Sequence, residues 1–232
     1  MAVIFNFSNM IAYFNGGSKL RLKACILIVF MILTGCFAGT KEQISPETDS
    51  TSSKIEFTPV DLFQGDAAKF KLFLGPMTGA FKLKYEGNKP NVSLDIDIWK
   101  NGQKVDSAGS IGDLFYSSNE QKGSNEVELI ISVDTESIEG QKEFSKIKVN
   151  TTSHSGSSLS TITIPWDKKL TAHGLIQDMR PRSFTIDQPV HVFGMHATST
   201  NKIHTADLST ESLRKTEWAF VFTLLLDEED RE

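Results

Sequence analysis

Apolar and polar residues alternate with a period of two through most of the chain beyond residue 55. The alternation is cleanest from Val92 to Ile98, where valine, leucine and isoleucine occupy every second position. A strand that buries one face and exposes the other produces this pattern. We predict further strands near residues 70–74, 81–85, 127–133, 147–149, 162–164, 184–186, 190–192 and 218–222.

Turn signals separate these stretches. Asn101-Gly102 directly follows the clearest strand, and Asn-Gly between two strand-like runs is a strong signal for a hairpin. A Ser/Gly-rich turn is predicted at Ser153–Ser158. A short helix is predicted at Leu208–Lys215, with Ser209 as its N-cap.

Many short strands without a long helical period predict a mostly β protein that forms a single antiparallel β-sandwich. In strand number and spacing, the pattern resembles the immunoglobulin-like sandwich. The resemblance concerns architecture only, because the chain lacks the inter-sheet cysteine pair that is typical of antibody domains. A β-barrel, whose strands would be longer and more evenly spaced, is the alternative fold.

The N-terminal region has the layout of an export signal. Three basic residues between positions 19 and 23 precede an apolar run over residues 24–33, which ends in Leu33-Thr34-Gly35-Cys36. A basic stretch, a short apolar core and a small-residue end are typical of a secretory signal peptide. The run is shorter than the roughly 20 apolar residues that a membrane-spanning helix needs.

The four residues from Leu33 to Cys36 resemble the lipobox of bacterial lipoproteins. The resemblance implies that a signal peptidase cuts between Gly35 and Cys36 and that the sulfur of Cys36 carries a diacylglycerol. It also implies that the new amino group is acylated by a fatty acid such as palmitate. The protein would then be anchored on the extracytoplasmic face of a cell membrane, because two acyl chains give stable attachment to lipid.

The start of this leader is unusual. Eighteen residues precede Lys19, the first basic residue, and they are themselves apolar and aromatic. We expect that translation starts further in, at Met10 or at Leu20. If Met1 is the start, the leader is simply long.

The resemblance divides the chain into three parts. Residues 1–35 are the signal peptide, residues 36–54 a flexible tether, and residues 55–232 one domain with a short acidic tail. The tether is rich in serine and threonine and is interrupted by Pro46. Such a stretch cannot bury enough apolar surface to offset the entropy lost on ordering.

Charge excludes one class of partner. Removal of residues 1–35 takes away three basic residues and no acidic ones, so the net charge falls from −5 to −8. A nucleic-acid-binding protein normally carries a basic surplus, so nucleic acid is not expected as a partner. The mature chain keeps Cys36 and loses Cys25, which leaves no pair for an internal disulfide.

Histidines supply the candidate metal ligands. His191, His196 and His204 fall within 14 positions. His191 and His196 are five residues apart, which places them on opposite faces of a regular strand. A β-bulge at Gly194 would bring both to one face. Surface histidines without a ligand are the alternative, and no cofactor is predicted.

Acidic and basic clusters offer two further candidates. Asp95 and Asp97 share the outward face of the clearest strand, where they solvate an exposed surface or bind a cation together with Asp61 or Asp113. The loop Asp178–Arg182 contains two guanidinium groups. These bind a carboxylate or phosphate, or form a salt bridge within the loop.

Two tryptophans, Trp99 and Trp166, stand next to predicted turns. An exposed tryptophan at such a position stacks on a sugar or on a partner protein. We expect instead that both indoles are buried in the sandwich, because large aromatic side chains dominate the cores of small domains.

Catalytic signatures are missing from the sequence. It holds no Gly-x-Ser-x-Gly, no His-Glu-x-x-His and no Gly-rich phosphate loop. The expected function is therefore a non-enzymatic binding or accessory module of the cell envelope, held by Cys36 and recognising an envelope protein or polymer. The alternative is an envelope hydrolase or metal-binding protein that uses His191, His196 and His204.

Overall fold

Two antiparallel sheets face each other across an apolar core in a computed structural model, which describes residues 54–116, 125–137, 143–185 and 187–226. The described strands are β1 (Lys54–Val60), β2 (Thr78–Glu86), β3 (Val92–Lys100), β4 (Gln103–Ile111), β5 (Glu126–Ser137), β6 (Glu143–Ser153), β7 (Gly156–Pro165), β8 (Ala172–Gln177), β9 (Arg182–Thr185), β10 (Val190–Thr198) and β11 (Trp218–Leu226). The helical stretches are a 3₁₀ helix, Gly65–Phe70, and two single-turn α-helices, Lys71–Leu74 and Thr210–Leu213. All these elements belong to one unit, Thr51–Glu232.

The strand order shows how the sheets are built. Sheet A has six strands in the order β7-β6-β5-β2-β1-β9, and sheet B has five in the order β4-β3-β11-β10-β8. The strand pairs are antiparallel. The predicted antiparallel β-sandwich is therefore confirmed. The β-barrel alternative is wrong, because β7 and β9 end sheet A, β4 and β8 end sheet B, and the sheets do not close into one ring.

The core forms where the inward faces of both sheets meet. Val92, Leu94 and Ile96 of β3 are completely buried, as the alternation in this strand predicts. Full burial of a side chain of this size contributes about 1.5–3 kcal/mol relative to exposure. Other core residues with at most 2 % exposure include Ile55, Phe57, Phe81, Leu83, Leu129, Ile131, Ile147, Phe193, Phe220 and Phe222.

The β3–β4 hairpin turns at Asn101-Gly102, as predicted. Both residues have positive φ angles, 49° and 75°, as a two-residue type I′ turn requires. The turn also contacts the chain that precedes β11, because the backbone N–H of Asn101 donates to the carbonyl of Glu217 and that of Gly102 to the carbonyl of Thr216. The hairpin is thus fixed at its tip as well as along its strands.

A small second core covers the outer face of sheet B. Trp99, Ile176 and Val221 of the sheet pack against Leu213, which belongs to the short helix Thr210–Leu213. The predicted helix is confirmed, and so is its cap, because the hydroxyl of Ser209 accepts a hydrogen bond from the N–H of Ser212 at 3.2 Å. Trp99 and Trp166 are each 8 % exposed, which confirms that both indoles are buried.

One predicted strand is wrong. The stretch containing Phe70, Leu72 and Leu74 forms the end of the 3₁₀ helix and the short α-helix that follows it. Phe73 interrupts the alternation, and an apolar run this short does not distinguish a strand from a helix by its period. Gly75, with φ of 80°, ends the helical stretch.

No helix in the described part of the chain is long and apolar enough to cross a lipid bilayer. The predicted signal peptide with its cleavage site at Gly35, the proposed anchor Cys36 and the acidic tail at 227–232 lie outside the described residues. The first strand begins at Lys54, the last residue assigned to the tether.

Candidate functional site

A cavity of about 440 Å³ opens at one end of the sandwich. It lies between β1 and β2 of sheet A and β8 and β10 of sheet B, and residues 61–64, which follow β1, border it. We call it the end cavity. Its volume falls within the range of roughly 300–1,000 Å³ that small-molecule sites occupy.

The floor of the end cavity is apolar. Phe57, Phe81, Val192 and Phe193 line it, and each is at most 2 % exposed. These side chains also belong to the main core. The end cavity therefore borders the main core of the sandwich.

The rim of the end cavity is polar. Asp61, Gln64, Lys71 and Gln177 are exposed around it, and Asp178 is half-buried there. An apolar interior with a few polar groups at its edge is the usual composition of a site for a small amphiphile or for an apolar anchor side chain. The rim offers both a cation and two carboxylates for orienting such a group.

Gly79 allows the two sheets to approach each other closely at this end. A Cβ atom on Gly79 would lie 2.5 Å from Cε2 of Phe193 and 2.6 Å from Oε1 of Gln177. Any larger residue would have to displace the phenylalanine of the cavity floor. The shape of the end cavity thus depends on the absence of a side chain on β2.

Arg182 fixes the loop beside the rim. Its guanidinium lies 5.3 Å from the ring centroids of both Phe57 and Phe184. Nε is 3.3 Å from Oδ2 of Asp178, and Nη2 donates to the carbonyl of His191 at 2.7 Å. The salt bridge predicted within residues 178–182 is therefore confirmed, and it holds a rim carboxylate in place.

An exposed apolar segment adjoins the end cavity. We call residues 70–74 the apolar segment; its Phe70, Leu72, Phe73 and Leu74 are 51 %, 92 %, 83 % and 37 % exposed. Lys71 belongs both to this segment and to the rim.

The base of the apolar segment is attached to sheet A. The carbonyl of Leu74 accepts hydrogen bonds from the hydroxyls of Thr78, at 2.5 Å, and Ser132, at 2.9 Å. Both hydroxyl-bearing residues are buried. The segment is thus an ordered projection whose large side chains point away from the core.

A separate polar network lies on the outer face of sheet B. The carboxylate of Asp97, which is 2 % exposed, lies 2.7 Å from Nζ of Lys104 and accepts a hydrogen bond from the hydroxyl of Thr223 at 2.9 Å. Nδ1 of His191 is 3.1 Å from the same hydroxyl oxygen. Trp99 meets the imidazole edge-on, with 5.9 Å between ring centroids.

The hydrogen bonds of Thr223 determine which nitrogen of the His191 ring carries the proton. Because Thr223 gives its only hydroxyl proton to Asp97, its oxygen must accept the proton carried by Nδ1 of His191. Burial is the main cause that lowers the pKa of His191, and the charge of Asp97 opposes it. The arrangement differs from a Ser-His-Asp triad, in which the imidazole stands between the hydroxyl and the carboxylate.

The bulge in β10 is found next to the predicted position. The register with β11 shifts between His191 and Phe193, at Val192, and not at Gly194. Val192 and Phe193 both face the core, so His191 and His196 reach the same outer face of sheet B. Their partners on β11, Thr223 and Ala219, are four residues apart, so the two histidines are separated by about 13 Å at about 3.3 Å per residue.

The three candidate histidines therefore do not converge. His196 is buried, and it borders a second cavity, of about 390 Å³, together with the exposed His204. Burial first, and the charge of His204 second, lower the pKa of His196. Within the described ranges, no group of three His, Cys, Asp or Glu side chains is placed to hold a metal ion.

The predicted carboxylate cluster does not form either. Asp97 is buried against Lys104 and Thr223 rather than solvated. Asp113 pairs with Lys89 at 2.9 Å, and Asp61 accepts hydrogen bonds from the two residues of its own turn, Phe63 and Gln64.

The end cavity could not be found from the chain alone. Its floor comes from three strands, two of which, β1 and β2, are far in sequence from the third, β10, and its residues look like ordinary core positions. The one available signal was the departure from alternation at Phe73, which leaves large apolar side chains next to two lysines. A scan against protein-family models, a search of curated proteins and a search of solved structures found no match for this chain.

Proposed function

We propose that this protein is a lipid-anchored module on the extracytoplasmic face of a cell membrane, and that it binds a partner at the end cavity without catalysing a reaction. The observation that carries the binding role is the end cavity itself, which has a floor of aromatic side chains beneath a polar rim. An apolar group of a ligand that packs on such a floor leaves water, so the end cavity is the place where burial most favours binding.

The proposed anchor is supported by the sequence before β1. The lipobox-like residues Leu33-Thr34-Gly35-Cys36 would place two acyl chains on Cys36, and β1 begins at Lys54. Eighteen residues, 36–53, would then connect the lipid to the domain. At up to about 3.3–3.6 Å per residue, this connection spans at most about 60 Å.

The chemistry of the end cavity favours one class of partner. Its floor offers Phe57, Phe81 and Phe193, whereas Lys71 and Asp178 at the rim offer charge. An envelope protein that inserts an apolar side chain, or another amphiphilic group, satisfies both parts. A uniformly polar wall polymer leaves the aromatic floor without a partner.

Photocrosslinking in intact cells tests this proposal. Met179 borders the end cavity and is 66 % exposed, and Leu159 of β7 is 65 % exposed and does not line it. A benzophenone side chain at position 179 is expected to give an adduct of defined mass, whereas the same side chain at position 159 gives none. Equal adducts at both positions, or none at either, would overturn the proposal, and the adduct mass separates a protein from a smaller amphiphile.

One observation favours the alternative, an envelope hydrolase or metal-binding protein. Thr223 and Asp97 orient a neutral His191 and leave Nε2 as the basic nitrogen of the ring. If this histidine binds a metal, the purified protein should contain stoichiometric metal that His191→Gln removes and that substitution of the exposed His154 by glutamine leaves in place. Metal below about a tenth of an equivalent counts against this alternative.

A further inference from the structure

We propose that the apolar segment, residues 70–74, inserts into the surface of an anionic lipid bilayer and thereby orients the end cavity toward the membrane. This inference rests on the proposed membrane anchoring and goes beyond it, because it assigns a second, non-covalent membrane contact to a defined part of the domain.

The exposure of large apolar side chains is concentrated in this segment. Four of the nine exposed large hydrophobic residues of the described chain are Phe70, Leu72, Phe73 and Leu74. The other five, Val105, Tyr116, Leu159, Met179 and Ile203, are not adjacent to one another in sequence. Single exposed apolar residues are common on soluble proteins, whereas a contiguous group marks an interaction surface.

The segment is held in this exposed conformation by the sandwich. Its last carbonyl, that of Leu74, receives the two buried hydroxyls of Thr78 and Ser132, and the N–H of Gly75 donates to the carbonyl of Lys71 at 3.0 Å. A Cβ on Gly75 would meet Oδ1 of Asp134 at 2.8 Å, so the turn packs tightly on sheet A. Exposure of Leu72 and Phe73 is therefore a property of the folded protein, not of a frayed end.

Charge complementarity selects an anionic bilayer as the occupant. Lys69 and Lys71 flank Phe70; their Nζ atoms lie 5.5 Å from the ring centroid of Phe70 and 5.7 Å from that of Phe63, respectively. Lysine side chains beside inserted aromatic residues keep their ammonium groups at the level of the lipid headgroups. Asp66 is the one acidic residue between positions 65 and 74.

The anchor and the segment can reach the same bilayer. The segment follows the end of β1 opposite to Lys54, and seven residues of strand span about 20 Å. The connection from residue 36 to residue 53 spans up to about 60 Å, which exceeds that distance. A domain held this close to lipid docks through an intramolecular step, for which weak insertion of a few side chains suffices.

Docking has a consequence for the end cavity. Lys71 belongs to both the segment and the rim, so contact of the segment with lipid brings the rim to the membrane surface. The end cavity would then bind its partner at the bilayer surface rather than on the side of the domain that faces away from the membrane. The net charge of −8 expected for the mature chain opposes contact of anionic lipid with most of the surface, so docking depends on insertion of the apolar side chains beside Lys69 and Lys71.

A fluorescent probe on a single cysteine tests the proposal. The mature lipidated protein is reconstituted in phosphatidylcholine vesicles that contain phosphatidylglycerol, with an environment-sensitive probe attached at Phe73→Cys. Leu159→Cys is the matched control, because Leu159 is also well exposed and lies on β7 of the same protein. Both substitutions replace exposed side chains and leave the core intact.

The expected result is specific to position 73. Lipids brominated on their acyl chains should quench the probe at 73, and aqueous iodide should not, with the reverse at 159. A probe at 73 that iodide quenches as fully as the probe at 159 would overturn the proposal. A blue shift at 73 that depends on protein concentration and needs no vesicles would overturn it in favour of contact between two copies of the chain.

The lysines provide a second measurement. Lys69→Gln with Lys71→Gln should reduce the docked-to-undocked ratio on anionic vesicles by roughly fivefold for each charge removed, and the effect should vanish at high salt. Lys168→Gln with Lys169→Gln is the matched control, since these two adjacent lysines are also exposed. An equal loss from both pairs would contradict docking through the apolar segment.

Failure of the anchor and failure of docking are distinguishable. The mass of the mature protein shows whether Cys36 carries lipid, and the probe at 73 shows whether the segment enters the bilayer. An unlipidated Cys36 would also take up a second probe, which the labelling stoichiometry reveals. A lipidated protein with an iodide-accessible position 73 refutes only the inference about the segment.

Discussion

Thr223 donates a hydrogen bond to Asp97 across 126 positions of sequence, with 2.9 Å between Oγ1 and Oδ2. The two residues lie on adjacent strands, β11 and β3, beneath the second core. The carboxylate is 2 % exposed, so this hydroxyl and the ammonium group of Lys104 replace the water that an exposed aspartate would bind. A buried carboxylate without such partners costs several kcal/mol, so each partner carries a measurable share of stability.

Thr223→Val should lower the free energy of unfolding by about 1–3 kcal/mol, because it leaves a buried acceptor on Asp97 without its donor at nearly constant side-chain volume. Urea unfolding followed by tryptophan fluorescence measures the change. Thr163→Val on the exposed face of β7 is the control and should stay within about 0.5 kcal/mol of the unsubstituted protein. Equal stabilities for the two variants would contradict the role of the hydrogen bond.

Stability should fall on acidification because burial lowers the folded-state pKa of both His191 and His196. Below the unfolded-state value of about 6.5, the unfolded chain binds more protons than the folded chain at these two positions. Their contribution to stability is therefore complete above that value and is lost as pH falls toward the folded-state pKa. Combined His191→Gln and His196→Gln should flatten the unfolding free energy between about pH 8 and about pH 5. An unchanged slope in the double variant would refute this assignment.

Gly102→Ala should destabilise the protein more than Gly87→Ala, although both glycines have positive φ angles, 75° and 90°. A Cβ on Gly102 would clash with the backbone carbonyl of Arg214, whereas a Cβ on Gly87 meets nothing within 4 Å. The left-handed conformation costs each variant about 1–2 kcal/mol, and the backbone clash adds about 1–3 kcal/mol to Gly102→Ala alone. Thermal unfolding of the two variants measures the difference, and equal melting temperatures would show that the turn can move away from Arg214 at no cost.

Cys36→Ala should abolish lipid attachment and cleavage of the leader, whereas Cys25→Ala should leave both intact. The proposed reason is that only the thiol after Leu33-Thr34-Gly35 meets the enzymes that modify the lipobox. Metabolic labelling with a fatty acid, followed by mass measurement of the protein, checks both variants. Continued labelling of Cys36→Ala would disprove the proposed anchor while leaving the β-sandwich and its end cavity unaffected.

The sandwich was predictable because alternation is a local signal that burial of one sheet face imposes on each strand. It identified β2, β3, β5 and β11 and the Asn101-Gly102 turn from single stretches of sequence. The same signal failed at residues 70–74, where the apolar side chains face outward and obey no burial period. It also missed β8, because polar and apolar residues do not alternate there: His173 and Gly174 are followed by two adjacent apolar residues, Leu175 and Ile176.

The candidate site was far less predictable, since it depends on which strands become neighbours. The alternation in β3 predicts that Asp97 is exposed. Its burial depends on Lys104 and Thr223, which lie on the neighbouring strands β4 and β11. The bulge at Val192 was expected two residues later, at Gly194, because glycine is the usual marker of such an irregularity. In this strand the extra residue is Val192 instead, and both Val192 and Phe193 face the core.

The position of β11 has a consequence for the order in which the protein can assemble. The last of the described strands, it lies in the interior of sheet B, paired with β3 on one side and β10 on the other. Before residues 218–226 are available, β4 and β3 have no partner that joins them to β10 and β8. Contacts this distant in sequence form slowly, so completion of sheet B is expected to be a late step of folding.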